Sequence, residues 1–323
     1  MTQHAIEQVH RSSSRWGAER PPGRDAVAVY PVRSGRGAVA MLVRALSRYI
    51  HSETGLEMVM SVLSRNNVTA TGNGQTPMMF AHGYGCDQNM WRLVTPAFTD
   101  THRVILFDHV GAGRSDLAAY DRAKYSSLHG YAQDLLEICD ELDVTGGIFV
   151  GHSVSAMIGV LAAIAEPERF SRLVLIGPSP RYIDDGDYVG GFTRKDIDEL
   201  LELQASNYLG WSATLAPVIM GNAERPELSD ELQASFCSTD PEIAKQFAAV
   251  TFLSDNRSDL PQVRVPSLAL QCQDDAIAPM AVGQYVQRHL PACEMVVLNA
   301  TGHCPHLSAP EETIAAIRDF LDS

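Results

Sequence analysis

The 323-residue sequence predicts an α/β fold, in which a mostly parallel sheet carries helices on both faces. Two observations lead to this prediction. Short apolar runs of the kind that form buried parallel strands recur along the chain, and segments of helical length separate them. One run, residues 148–150, ends in a tight Gly-His-Ser turn at Ser153 and passes directly into a helical pattern. The sequence therefore predicts alternating strands and helices from about residue 61 onward.

Local patterns give each element of the predicted core. An early strand is expected over residues 62–71, in a hairpin. Helices are expected over residues 128–142, directly after the turn at Ser153, and near residues 311–321. The remaining apolar runs predict buried strands at residues 78–81, 104–107, 148–150, 173–176, 266–272 and 295–298.

The strand pattern disappears between residues 186 and 253, and four helices can be drawn near 193–206, 207–219, 228–237 and 240–252. Packing on the sheet explains part of their apolar content. A helical insertion over the carboxyl edge of the sheet would also cover Ser153 with apolar side chains. We therefore assign residues 60–185 and 254–323 to the core and residues 186–253 to a lid. The predicted pocket residues are Phe192, Tyr208, Trp211 and Phe252.

Residues 1–59 differ in composition from the rest of the chain. They hold eight Arg and no Lys against five acidic residues, and Gly, Pro, Ser and Arg are dense between positions 11 and 37, which is typical of disorder. Two interpretations compete: a flexible N-terminal extension, or an upstream start assigned in place of Met58 or Met60. We favour the second, because the pattern of a compact domain begins only at Ser61.

Charge and cysteine usage exclude several classes of function. The net charge of −14 argues against a surface for nucleic acid or for anionic membranes. No run approaches the roughly 18 apolar residues of a membrane span. The six cysteines lack CxxC pairing, which predicts reduced thiols in a cytoplasmic protein rather than a disulfide framework or a zinc site. We predict neither a metal nor a cofactor.

The turn at Ser153 has the strand–turn–helix context of a nucleophile elbow, which presents a serine hydroxyl at the carboxyl edge of a sheet. Gly151 fits this turn because a β-carbon there would crowd the flanking backbone. Ser155 stands where the general pattern has a second glycine, and we interpret it as a subfamily variant. The alternative is that Ser153 is an ordinary helix N-cap.

An activated serine needs a base, and the base needs a group that orients it. The chain offers both in the order Ser, Asp, His that is expected after successive strands. Asp275 is preferred to Asp274 because it stands at the tip of its loop. His303 is preferred to His306 because Gly302 frees the backbone just before it, whereas His306 lies nearer the final helix and is predicted to pack or to hydrogen-bond.

The predicted oxyanion donors are two backbone N–H groups. Val154 follows the nucleophile, and Tyr84 lies in the loop after the strand at residues 78–81. His82 begins that loop and is predicted to hold it in place rather than to act as the base. Cys86 is a poor nucleophile candidate, since the sequence assigns it no separate pair of histidine and acid.

Six segments together closely resemble the family of RsbQ, a bacterial α/β-hydrolase of stress signalling that is related to the plant strigolactone and karrikin receptors. They are HGYGCDQNMW (82–91), FDHVGAGRSD (107–116), GHSVSAMIG (151–159), GPSPRY (177–182), FLSDNR (252–257) and TGHCPHLSAPEE (301–312). The resemblance covers about residue 61 to the C-terminus. Tyr84 departs from the Phe expected there and would add a hydroxyl at the pocket mouth without removing the backbone donor.

The resemblance implies an α/β-hydrolase fold with a four-helix lid over a closed apolar pocket. It implies the triad Ser153, Asp275 and His303, with oxyanion donors from Tyr84 and Val154. It further implies a role beside a partner phosphatase, RsbP, in sigma-B stress signalling. Such a protein would take a small hydrophobic ligand, and neither nucleic acid nor membrane is an expected partner.

Three hypotheses follow for the function. The leading one is a serine hydrolase of a small hydrophobic ester or lactone with a signalling role. The second is a ligand-binding module that retains the triad and recruits a partner through its lid. The third is a metabolic esterase or a cofactor-free haloperoxidase-like enzyme with the same triad, for which rapid turnover of simple esters would be the distinguishing property.

Overall fold

The computed structural model describes residues 61–323, so the predictions made for residues 1–59 lie outside the described residues. Within that part, seven strands form a sheet in the order β1-β3-β2-β4-β5-β6-β7. The pair β1 and β3 is antiparallel, and every other neighbouring pair is parallel, which confirms the predicted class. The strands are β1 (Thr69–Thr71), β2 (Thr76–Ala81), β3 (His102–Phe107), β4 (Gly147–His152), β5 (Phe170–Ile176), β6 (Ser267–Asp274) and β7 (Cys293–Thr301).

Helices cover both faces of this sheet. Side chains of β2 alternate between two apolar clusters, with Met79 and Ala81 on one face and Met78 and Phe80 on the other. The first cluster includes residues of α2, α3 and α8, and the second includes residues of α9 and α10. The α-helices of the described chain are α1 (Val62–Arg65), α2 (Leu128–Glu141), α3 (Val154–Ala165), α4 (Arg194–Ser206), α5 (Tyr208–Met220), α6 (Pro226–Ser238), α7 (Pro241–Phe252), α8 (Met280–His289), α9 (Pro305–Ser308) and α10 (Pro310–Asp322).

The beginning of the described chain differs from the prediction. Residues 62–71 do not form one hairpin strand, because α1 occupies the first part and β1 has only three residues, paired with β3. The Ser61 side chain accepts a hydrogen bond from the Leu63 N–H and starts the helix, and Asn67 adopts a φ of 45° just after it. Helix α8 was not predicted, although the parallel pair β6 and β7 requires a crossover of this length.

The strand order fixes the place where a ligand can bind. Strands β2 and β4 are neighbours, but the chain leaves β2 toward β3 and leaves β4 toward β5 on the other side. In open α/β sheets, ligands bind at such a switch point, in the crevice beyond the carboxyl ends of the strands. The loop at residues 82–85 and the turn at Ser153 therefore meet at the edge of the sheet where a site is expected.

The four helices α4 to α7 lie between β5 and β6 in the chain, where four helices were expected. Polar caps define three of their starts: Thr193 and Asp196 form a capping box at α4, Asn207 caps α5, and Asp240 caps α7. Helix α6 has no side-chain cap within the described chain and begins at Pro226. We call these four helices the lid. Among the helices between residues 61 and 323, none combines the length and the apolar character that crossing a membrane requires.

Candidate active site

Ser153 occupies a strained turn between β4 and α3. Its backbone has φ 57° and ψ −122°, a region that non-glycine residues rarely adopt and that clusters at functional sites. The Ser153 N–H donates to the Ile176 carbonyl at 2.8 Å, which fixes the turn against β5. A β-carbon on Gly151 would lie 2.6 Å from the Ser155 carbonyl oxygen, so glycine is required there. The Ser153 side chain makes no capping bond to α3, which argues against the N-cap interpretation.

Three buried side chains from three loops meet at this turn. The Nε2 atom of His303 lies 2.8 Å from Ser153 Oγ, and its Nδ1 atom lies 2.7 Å from Asp275 Oδ2. The other carboxylate oxygen of Asp275 accepts the N–H groups of Ile277 and Ala278 at 2.8 and 3.0 Å. Because a carboxylate can only accept, Nδ1 of His303 carries the proton and Nε2 is free to accept from the serine hydroxyl.

The two competing residues lie elsewhere. Asp274 ends β6 with an exposed side chain. His306 is fully buried with its ring 4.8 Å from that of Trp91, and neither of its nitrogens has a partner among residues 61–323. Burial lowers the pKa of His306 to about 3. The structure therefore brings Asp275 and His303 to the serine, and it leaves Asp274 and His306 outside the arrangement.

Both predicted oxyanion donors border the nucleophile. Val154 is the first residue of α3, so its N–H has no acceptor within the helix. The N–H of Tyr84 has no backbone acceptor among the described residues. A β-carbon on Gly83 would lie 3.4 Å from the Ser153 β-carbon, which shows how closely the loop after β2 packs against the turn. Within residues 61–323 the two N–H groups are thus unpaired beside the nucleophile, and their action as oxyanion donors stays a prediction.

A second hydrogen-bonded group holds that loop; the sequence predicted this role for His82, but not the parts of Ser155 and His109. The Ser155 hydroxyl donates to the His82 carbonyl and lies 2.7 Å from His109 Nε2. The backbone N–H of His109 donates to His82 Nε2 at 3.0 Å, which leaves His82 Nδ1 to donate to the Gly83 carbonyl at 2.9 Å. Burial lowers the pKa of both histidines, so both rings are neutral. The serine that replaces the second glycine of the motif thus ties α3 to the loop of Tyr84.

Three potential metal ligands lie beneath His303. The ligand atoms of His152, Cys304 and His306 lie within 4.8 Å of one another, and all three residues are buried. However, His152 Nε2 already bonds to the His303 carbonyl at 2.8 Å. Burial raises the pKa of the Cys304 thiol well above its usual value, so the thiolate that a soft metal prefers is disfavoured. These features favour a supporting role under His303.

Aromatic rings of the lid cover the site. The ring of Tyr84 contacts Trp211 and Phe252, which were predicted pocket residues, with centroid distances of 6.1 Å for each. It also contacts Phe236 and Phe247, at 6.0 and 5.6 Å, which were not among those predicted. The Tyr84 hydroxyl lies beneath the lid and donates to a lid carbonyl rather than opening to solvent at a pocket mouth.

The other two predicted pocket residues make no ring contact with Tyr84 among the described residues. Tyr208 stacks on Trp211 at 5.7 Å, and its hydroxyl donates to the Phe236 carbonyl at 2.8 Å. Phe192 belongs to a separate apolar cluster with Tyr182 and Phe252. The sequence shows that these positions are aromatic, but their depth depends on how the four helices cross the sheet.

The chain is similar to known proteins along most of the part that the structure describes. A family model described as "Alpha/beta hydrolase family" matches residues 78–316, a span that includes the lid. Karrikin insensitive 2 receptor CA of Petunia hybrida is 39% identical over 78% of this chain and 94% of its own length. Strigolactone esterase D14 of Arabidopsis thaliana is 39% identical over 81% and 98%. The structure of a hydrolase from Oleispira antarctica is 42% identical with a TM-score of 0.79, over 81% and 96%.

Proposed function

Because the chain belongs to the alpha/beta hydrolase family, we propose that it is a serine hydrolase of small hydrophobic esters or lactones. The observation that carries this proposal is the chain of two short hydrogen bonds from Ser153 through His303 to Asp275, at 2.8 and 2.7 Å. All three side chains are buried, so the charges that develop during a reaction would be poorly screened by water.

In the acylation step, Ser153 Oγ attacks the carbonyl carbon of the substrate while its proton passes to His303 Nε2. Asp275 stabilises the imidazolium that forms and keeps the ring in the correct tautomer. The N–H groups of Tyr84 and Val154 stabilise the oxyanion. The intermediate then collapses, the bond to the leaving oxygen breaks, and the alcohol takes the proton from His303. In a lactone, this alcohol stays attached to the acyl group.

In the deacylation step, His303 removes a proton from water, which attacks the acyl carbon. The oxyanion again forms between the same two donors. Collapse returns the proton from His303 to Ser153 and releases the carboxylic acid. The aromatic rings around Tyr84 favour an apolar substrate of limited size, because they place large, rigid groups over the oxyanion loop.

A burst experiment tests the nucleophile. We expect the protein mixed with p-nitrophenyl acetate to release nitrophenol in an early burst that is stoichiometric with the enzyme, followed by slower turnover. Ser153→Ala removes the attacking oxygen, so the burst should disappear and the rate should fall by about 10⁴-fold or more. Mass spectrometry of the quenched protein should find one acetyl group on Ser153.

The matched control is Ser267→Ala. Ser267 is also buried, but it begins β6 at the opposite edge of the sheet and its hydroxyl donates to the Val265 carbonyl. This variant should keep the full burst. A burst that survives in Ser153→Ala would refute the proposal, whereas fast steady turnover without a burst, lost in Ser153→Ala, would favour a metabolic esterase.

A receptor-like role is the second candidate, and the specific observation in its favour is the 39% identity to a named karrikin receptor. In that case ligand binding, rather than turnover, would be the output. This role predicts that the Ser153→Ala variant still binds a strigolactone in equilibrium dialysis. Binding should also still change the hydrogen exchange of the lid. Loss of all binding together with hydrolysis would contradict it.

The resemblance to RsbQ adds a proposal of cytoplasmic stress signalling with a phosphatase partner. All six cysteines are free, as suits a reducing compartment. A stable complex with the phosphatase encoded nearest to this gene, observed by size-exclusion chromatography, would support the partner. Absence of a complex both with and without ligand would speak against it.

A further inference from the structure

One residue of the oxyanion loop reaches every helix of the lid. The ring of Tyr84 contacts Trp211 of α5, Phe236 of α6, and Phe247 and Phe252 of α7. Its hydroxyl accepts a hydrogen bond from Gln204 Nε2 of α4. The residue whose backbone N–H borders the nucleophile thus carries a side chain that is surrounded by the lid.

The directions of the two hydroxyl bonds are fixed by chemistry. The Ala244 carbonyl of α7 can only accept, so the single phenolic proton of Tyr84 goes to it, over 3.1 Å. The phenolic oxygen is then an acceptor, and Gln204 must present its NH₂ group. Gln204 is 2% exposed, and its Oε1 atom has no partner within residues 61–323, so the contact with Tyr84 is the one that holds this amide.

Burial keeps this arrangement neutral. Removal from water raises the pKa of Tyr84 well above its usual value, so the phenol keeps its proton at neutral pH. A phenylalanine in the same place would fill the same aromatic space but would leave the Gln204 amide and one lone pair of the Ala244 carbonyl without this partner. Unpaired buried polar groups are unfavourable, so the loss of this partner would destabilise the closed position of the lid.

We propose that Tyr84 is a positioning residue, whose hydroxyl fastens α4 and α7 to the oxyanion loop and so couples lid closure to the placement of the Tyr84 N–H. This proposal rests on the proposed function for its catalytic consequence. When the lid is closed, the side chain is held from above and the backbone donor stays beside Ser153. When α4 and α7 move away, the loop loses that restraint.

The test is Tyr84→Phe, which keeps the ring and the backbone donor and removes only the hydroxyl. We expect the acylation rate in the burst phase to fall about tenfold, which corresponds to one or two hydrogen bonds. We also expect amide hydrogen exchange in α4 and α7 to become about tenfold faster. Gln204→Met removes only the bond to α4, so it should produce a smaller change, mainly in α4. The double variant should match Tyr84→Phe, because Tyr84→Phe already removes the bond to Gln204.

The control is Gln246→Met, which has the same chemistry on the same lid. The Gln246 amide lies on α7 and donates to the carbonyls of Arg122 and Tyr125, so its loss loosens the lid without touching Tyr84. This variant should speed exchange in α7 while leaving acylation within about twofold of wild type. Equal losses of acylation in Gln246→Met and Tyr84→Phe would overturn the proposal, since general loosening would then explain both.

Two further outcomes are distinguishable. If Tyr84→Phe exchanges and acylates like the wild-type protein, the hydroxyl couples nothing and the proposal is wrong. If the wild-type protein gives no burst that depends on Ser153, the proposed function fails, but the exchange data still decide whether the hydroxyl fastens the lid. Unchanged exchange in α4 and α7 would overturn the inference in that case as well.

Discussion

The floor and the roof of the site are held together by different forces. In the floor, which we define as Ser153, His303, Asp275 and the Ser155 group, hydrogen bonds set each position. Every nitrogen and oxygen of the His303 ring and Asp275 carboxylate has a partner, and of the ring nitrogens in the Ser155 group only His109 Nδ1 has none among the described residues. In the roof, which we define as the lid side chains above them, aromatic contacts predominate. Buried polar atoms of Trp211, Gln204 and Thr251 lack partners there among the described residues.

This difference separates chemistry from selectivity. Hydrogen bonds are directional, so a small displacement in the floor breaks the geometry that proton transfer requires. Dispersion and burial are not directional, so the roof can change its shape and still cover the site. Changes in the floor should therefore abolish reactivity. Changes to the aromatic side chains of the roof should instead alter which substrate is preferred.

The largest effect should come from Asp275→Asn in the floor. An amide at this position can turn its NH₂ group toward His303 Nδ1 and favour the wrong tautomer, so kcat should fall by about 10⁴-fold, the loss typical of this replacement in a serine triad. Steady-state hydrolysis of p-nitrophenyl acetate measures it. Asp274→Asn removes the neighbouring exposed carboxylate and should keep wild-type kcat. A loss below tenfold in Asp275→Asn would show that the carboxylate does not orient the base.

The next largest effect should be a loss of stability in acid, caused by buried histidines in the floor and beneath it. Burial lowers the pKa values of His82, His109, His152 and His306, so these rings are neutral in the folded protein. Below about pH 6.5 the unfolded chain binds protons that the folded protein does not, so stability present above that pH is lost as the pH falls. Each ring contributes up to about 1.4 kcal/mol per pH unit to that loss.

His306 offers the sharpest test of that loss, with a window from about pH 6.5 down to its folded pKa of about 3. His306→Phe keeps a ring against Trp91 and removes the titration. Urea unfolding at pH 7, 6 and 5 should therefore show a smaller loss of unfolding free energy than in the wild-type protein. His129→Gln, which removes an exposed histidine, should leave the wild-type loss in place. Identical losses in His306→Phe and wild type would contradict the buried neutral ring.

The smallest effect should come from the roof. Phe252→Leu shortens a ring that contacts Tyr84 and Tyr182, so the ratio of kcat/KM for hexanoate to acetate p-nitrophenyl esters should rise by up to about tenfold. Phe170→Leu makes the same change in the core beside Phe149, at a ring distance of 5.9 Å, and should not move that ratio. A collapse of all activity in Phe252→Leu would break the distinction between roof and floor.

Local patterns were sufficient to predict most of the sheet. The buried strands β2 to β6 are short apolar runs, and such runs between helical segments are typical of buried parallel strands. The prediction was wrong near the exposed strand β1, because its three side chains are all exposed and give no apolar signal. The N-cap at Ser61 determines the local structure there instead. The prediction also overlooked α8, where only Val282, Gly283 and Val286 are buried and the apolar stripe is correspondingly narrow.

In the candidate site, too, local sequence predicted some features and the tertiary fold determined the others. Chain order and loop position were enough to single out Asp275 and His303, because the carboxyl ends of parallel strands must meet at one edge. The partners of the Tyr84 hydroxyl could not be predicted, because Gln204 and Ala244 lie more than a hundred residues away, on helices whose depth over the sheet no local pattern encodes. Ser155 was visible as a departure from the motif, but its bond to the loop of His82 required the fold.

The loop that carries His303 is also hydrogen-bonded to the lid, at the end of α5. The His303 N–H donates to the Ile219 carbonyl at 2.7 Å, and the Asn222 side chain donates to the Thr301 carbonyl at 2.8 Å. A lid motion that carried this end of α5 outward would pull the imidazole away from the serine. Only a lid motion that left this end of α5 in place would therefore keep the His303 imidazole beside Ser153.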